Sequence, residues 1–98
     1  MSPRIMLVDD HQMFRDGLRP LLERTPGHEV VAEAGEGHAA VRLAAELLPD
    51  VVVMDISLPG LNGIEATRQI LAANPAVKVI ILSMHADRGV GGQDLRLA

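Results

Sequence analysis

Three short stretches of the chain run through apolar residues and stop abruptly at an aspartate or a serine. Ile5-Met6-Leu7-Val8 runs into Asp9-Asp10, Val51-Val52-Val53-Met54 into Asp55, and Val79-Ile80-Ile81-Leu82 into Ser83. A strand with one wet face alternates apolar and polar residues. A strand that is apolar at every position is covered on both faces, as in a parallel sheet sandwiched by helices. Between these runs the spacing becomes helical. Met13, Phe14, Leu18, Leu21 and Leu22 recur at helical intervals, and Thr25-Pro26-Gly27 closes that segment. Pro20 lies inside it and predicts a kink or an early break. A second helix is expected from about His38 to Leu48, with Val41, Ala44, Ala45 and Leu48 on its apolar face and Leu47 beside it. A third is expected over Ile64–Ala73. Residues 29–34 mix polar and apolar positions, as a strand at a sheet edge does, and the fourth strand is expected over Val77–Leu82.

Strand and helix therefore alternate, which is the pattern of a doubly wound α/β sheet. In such sheets ligands bind at the carboxyl ends of the strands. Asp9, Asp10, Asp55 and Ser83 all fall at such ends, so all four are expected along one edge. After Ser83 the pattern fades. Gly89, Gly91 and Gly92 make poor helix, and no fifth strand is expected beyond them. The organisation read from this is a domain over residues 1–86 and an atypical glycine-containing tail over 87–98.

With 98 residues the chain is one domain. Nine Lys and Arg against thirteen Asp and Glu give a net charge of −4, the wrong sign for gripping phosphate backbones. Phe14 is the sole aromatic residue, so stacking platforms for single-stranded nucleic acid are excluded as well. There is no cysteine, hence no disulfide framework or thiolate metal site. The four apolar residues after Arg4 are too few for a signal peptide or a membrane span, and a cytoplasmic protein without membrane contact is expected. His11, His28, His38 and His85 show no paired helical spacing, which argues against zinc. His11 and His85 follow strand ends near the acidic edge and read as surface histidines.

Carboxylates gathered at neighbouring strand ends repel one another unless a cation lies between them. Asp9 alone could be a helix cap, but capping leaves Asp10 and Asp55 unexplained. Ligands that are all oxygen suit a hard cation, with Mg2+ the usual choice. A carboxylate beside such a cation can also act as a nucleophile toward phosphorus.

The segments carrying these residues resemble a known family. Residues 5–18, Ile5-Met6-Leu7-Val8-Asp9-Asp10-His11 through Arg15-Asp16-Gly17-Leu18, are similar to the opening of a response-regulator receiver domain of the NarL/FixJ (LuxR-type) branch. Val53-Met54-Asp55-Ile56-Ser57-Leu58-Pro59-Gly60-Leu61-Asn62-Gly63 resembles the family's phosphoacceptor block, and Ile80-Ile81-Leu82-Ser83 the end of its fourth strand. The resemblance covers about Arg4 to Ala86. It implies a flavodoxin-like fold with strand order 2-1-3-4 and Asp55 as phosphoacceptor. It also implies a Mg2+ site formed by Asp9, Asp10, Asp55 and the backbone carbonyl of Ser57, with Ser83 as a switch hydroxyl. The function implied is that of a phosphorylated signalling module, not an enzyme in its own right, with a sensor histidine kinase as partner.

The pattern departs from the family after Ser83. Receivers carry a lysine at the end of a fifth strand, whereas the single lysine here, Lys78, enters the fourth strand at its far end. The fifth strand-and-helix unit and the branch's DNA-binding domain are expected to be absent, and direct nucleic-acid binding with them. Phosphorylation is expected to be impaired. An uncovered fourth strand is expected to promote a homo-oligomer, through that edge or by exchange of the tail, in preference to the first helix, whose outer face is read as carrying Arg15, Arg19 and Glu23. Three other readings compete. Gly35-Glu36-Gly37-His38-Ala39-Ala40 is a G-x-G-x-x-A of the dinucleotide-binding type. An aspartyl-phosphate phosphatase would need a carboxylate where Ser57 stands. A pseudo-receiver would keep the fold as an interaction module without phosphorylation.

Overall fold

In a computed structural model of the chain, residues 3–84 and 93–97 are described. The strands are β1 (Arg4–Val8), β2 (Glu29–Ala34), β3 (Val51–Asp55), β4 (Lys78–Met84) and β5 (Gln93–Leu97), and the helices are α1 (Gln12–Glu23), α2 (Gly37–Leu47) and α3 (Gly63–Ala73). The sheet order is β2-β1-β3-β4-β5. The first four strands are parallel, in the expected 2-1-3-4 order, and β5 is antiparallel to β4.

Each all-apolar run faces both ways, as its composition requires. Met6, Val8, Val52, Met54, Val79 and Ile81 are buried on the side closed by α2 and α3. Ile5, Leu7, Val53 and Leu82 are buried on the other side, where Phe14, Leu18 and Leu22 of α1 cover them. One irregularity interrupts this alternation. Ile5 pairs with Val30, but Met6 pairs with Ala32, so Val31 is skipped as a bulge in β2. Bulges are rare in parallel pairs and reverse which side chains face which layer. Val30 therefore faces α1, whereas Ala32 and Ala34 pack with the opposite layer. Glu33, the register partner of Leu7, is turned onto the α1 side.

Several expectations need correcting. The edge of β4 is not bare, because Ile80 pairs with Leu97, Leu82 with Leu95 and Ser83 with Asp94. The pairing of β5 satisfies backbone groups that β4 would otherwise present to another chain. β4 therefore offers no bare edge to a second copy of the chain. Helix α1 does not break at Pro20 but continues to Glu23. Asp16 and Pro20 are both exposed, so the carbonyl that loses its N–H donor lies on the water-facing side. Met13 is 88% exposed and Leu21 is also exposed, so the core face of α1 is narrower than expected. In α2 the buried positions are Gly37, Ala40 and Ala44. Val41, Ala45 and Leu48 instead line a groove against Ile70 and Ala73 of α3. Leu48 is exposed because it ends the helix in the left-handed conformation, with φ 50°. The boundary drawn after Ala86, His85 and the glycines at 89, 91 and 92 lie outside the described residues.

Candidate functional site

The carboxyl ends of β1 and β3 are neighbours because Val8 and Met54 are register partners. The next residue on each strand, Asp9 and Asp55, therefore comes to the same edge. Both are buried. Asp10 follows Asp9 into the loop and is exposed. Asp9, Asp10, His11 and Asp55 each present one ligand atom, and these atoms all lie within 4.8 Å of one another. Leu82 is the partner of Asp55, which places Ser83 one position further along β4 at the same edge. Lys78 pairs with Val51, at the opposite end of the strands.

The polar atoms of Asp9 are almost fully engaged. Its N–H donates to the Ala34 carbonyl at 3.0 Å, and its carbonyl accepts from the Arg15 guanidinium. Its Oδ1 accepts from the His11 N–H at 2.7 Å and lies 2.8 Å from His11 Nδ1. Its Oδ2 is buried without a partner. The capping reading of Asp9 does not hold, since His11 occupies the cap position of α1 and the Asp9 carboxylate binds His11 instead of the helix. A buried carboxylate oxygen left unpaired is costly unless a cation or water completes it.

The electrostatics follow from this crowding. Burial pushes the Asp55 carboxyl above its usual range, the hydrogen bond from the Ser57 N–H at 3.2 Å opposes that, and the charges of Asp9 and Asp10 raise it further. His11 sits 3.0 Å from Asp10 Oδ1 with its side chain 64% exposed. Its basicity is raised, first by the hydrogen bond to Asp9 and then by the charge of Asp10. His11 is thus a surface histidine whose protonated form the neighbouring carboxylates favour. The donor set of carboxylate oxygens, with Asp9 Oδ2 unpaired, fits a hard divalent cation such as Mg2+.

The loops that frame the edge are held by close packing. Asn62 caps α3 by accepting from the Glu65 N–H at 2.9 Å. A Cβ at Gly63 would fall on the Asp55 carbonyl, and one at Gly37 on the Leu61 carbonyl. Gly60 is left-handed, with φ 72°, and lies against Glu36. Glu36 caps α2 through the Ala39 N–H. The glycines of the G-x-G-x-x-A stretch therefore serve helix–loop packing, and an acidic side chain occupies the helix end where a dinucleotide phosphate would sit. The sequence reading missed Arg15 and Glu33. Arg15 is not on an outer face: it is 15% exposed and its Nε donates to Glu33 Oε1 at 3.0 Å.

The response regulator receiver domain family matches residues 5–96. The transcriptional regulatory protein DegU of Brevibacillus brevis is 46% identical over 84 residues, covering 86% of this chain and 36% of the relative. The chain thus spans well under half the length of that relative. A two-component response regulator of the LuxR family from Aurantimonas sp. SI85-9A1 superposes with a TM-score of 0.82 at 53% identity, covering 87% of this chain and 61% of that one. RcsB from Salmonella enterica serovar Typhimurium, bound to promoter DNA in the presence of the phosphomimetic BeF3-, gives a TM-score of 0.80 at 27% identity, covering 87% and 49%. A further structure holds two RcsB dimers on two parallel DNAs. Among the described residues no helix is long and apolar enough to cross a membrane.

Proposed function

The chain belongs to the response regulator receiver domains, and from that premise we propose that it is the phosphoacceptor module of a two-component signalling protein, with Asp55 as the residue that takes the phosphoryl group. The observation that carries this reading is the convergence of Asp9, Asp10 and Asp55 at one sheet edge, with Asp9 Oδ2 buried and unpaired. Asp9, Asp10, Asp55 and the Ser57 carbonyl would hold Mg2+, which when bound offsets the charge gathered at this edge. An oxygen of Asp55 attacks phosphorus while the bond from phosphorus to the donor nitrogen breaks. The leaving imidazole of a sensor histidine kinase keeps its electron pair and takes up a proton. Ser83 is assigned as the hydroxyl that responds to the phosphoryl group. The module acts in the cytoplasm as a signalling element and not as an enzyme in its own right. With a net charge of −4, this domain is not itself proposed to bind nucleic acid. Association into dimers, as RcsB forms, is part of the proposal, but not through the covered edge of β4.

Impaired phosphorylation is part of the proposal; what supports it is that Lys78 pairs with Val51, at the far end of the strands from Asp55, and so does not join its site. The same observation favours a second reading, a pseudo-receiver that works without phosphorylation. Incubation with a small phosphodonor and Mg2+, followed by peptide mapping, separates the two. The expected label is on Asp55 alone, requires Mg2+, is lost in Asp55→Asn, and accumulates faster when the C-terminal part of the DegU relative is joined to the chain. Label on another residue, or label that forms without Mg2+, contradicts the proposal. A complete lack of label, even in the extended chain, favours the pseudo-receiver.

A further inference from the structure

We propose that Arg15 is a positioning residue for the acidic site, held in place by Glu33, which the β2 bulge turns toward α1. The inference rests on reading Asp9 as part of a divalent-cation site. Asp9, Asp10 and Asp55 repel one another, and the cheapest relief would be rotation of the exposed loop peptides away from the cluster. Asp9 resists this because its backbone is fixed on both sides, its N–H by Ala34 and its carbonyl by Arg15. With Oδ1 also engaged by His11, only Oδ2 remains, buried and without a partner.

Arg15 can hold that carbonyl only if its own fork is fixed. Its Nε donates to Glu33 Oε1 at 3.0 Å; the exposed Arg19 meets only the other oxygen, Oε2, and does not touch Arg15's acceptor atom. Glu33 is 21% exposed, an uncommon place for a glutamate on the core side of a strand. Without the skipped Val31, strict alternation from Val30 would put Glu33 on the apolar α2 and α3 face. The bulge thus places one carboxylate where it can orient a guanidinium that touches the metal-site backbone. Planar guanidinium geometry suits this double task, whereas an ammonium gathers its donors on one nitrogen and lacks the fixed fork that spans two separated acceptors.

Calorimetric titration of Mg2+ into the whole chain tests the assignment. Arg15→Ala is expected to weaken Mg2+ binding by about tenfold, the lower end of the loss seen when a group that orients a metal ligand is removed. Arg15→Lys is expected to recover part of that loss. Arg19→Ala also loses an ion pair to Glu33 but makes no contact with Asp9, and is expected to bind Mg2+ as the wild type does. The sign is diagnostic. Removing a positive charge beside an acidic site would, through Coulomb attraction alone, tighten Mg2+. If Arg15→Ala does not fold, Arg15→Lys against Arg19→Ala gives the same contrast. Unchanged or tighter binding in the Arg15 variants overturns the inference, as does an equal loss in Arg19→Ala. A wild type that takes up no Mg2+ removes the cation site itself, and the inference with it.

Discussion

The two faces of the sheet are closed by different means. Under α2 and α3 the layer is apolar and fully sealed, with Met6, Ala40, Val52, Met54 and Ala66 at 0% exposure. Small residues at Gly37, Ala40 and Ala44 let α2 approach closely. Under α1 the contact is thinner. None of that helix's residues is fully buried, and its apolar contacts from Phe14, Leu18 and Leu22 are supplemented by Arg15, Arg19 and Glu23 reaching toward β2. The first face is a rigid backing for the β3 edge. The second is tied to the acidic site by polar bonds, so changes there are felt as altered site geometry more than as lost stability.

The largest expected difference comes from truncating the sealed layer. Met54→Ala should cost about 2–5 kcal/mol in urea unfolding, as large-to-small core changes do. Leu18→Ala, half-buried on the α1 side, should cost only about 1 kcal/mol because less apolar surface returns to water. Equal costs would erase the distinction between the faces. Gly63→Ala comes next. Its Cβ must displace the Asp55 backbone, and a loss of about 1–3 kcal/mol is expected, as for overpacking elsewhere. Arg19→Ala should cost under about 1 kcal/mol, as exposed ion pairs do, and the difference from wild type should shrink in high salt.

The pH dependence is smaller still but has a fixed direction. The basicity of His11 is raised in the folded chain, so its contribution is complete below its unfolded pKa near 6.5 and is lost as pH rises through the higher folded value. Asp55 is also raised, and its charging opposes folding as pH climbs above the ordinary carboxylate range. In metal-free buffer the melting temperature should therefore fall from pH 6 to pH 8. His11→Asn should flatten that slope, and an unchanged slope in the variant would remove His11 as its source.

The parallel strands and the acidic edge were legible because they depend on composition and on where each apolar run stops. Ile5–Val8 and Val51–Met54 could fit only a sheet covered twice, and the aspartates that end them were carried to one edge by topology. The partner of Arg15 was not legible. Which face Glu33 takes depends on the skipped Val31, a one-residue event that leaves no periodic trace in a strand of six residues. The role of Leu48 was obscured for a similar reason, since helical spacing continues past the point where the backbone turns left-handed. β5 was missed because Gln93–Leu97 is too short and too polar to stand out, and its pairing answers a need of β4 instead of any preference of its own.

The most direct test of the central claim, that Asp9, Asp10 and Asp55 form one divalent-cation site, is the melting temperature of the chain against Mg2+ concentration. A cation that binds only the folded state stabilises it by mass action, about 1.4 kcal/mol at tenfold excess over its dissociation constant. The melting temperature is expected to rise through the millimolar range and saturate, with the rise weakened in Asp9→Asn and abolished in Asp10→Asn. A wild-type melting temperature that does not move with Mg2+ would contradict it.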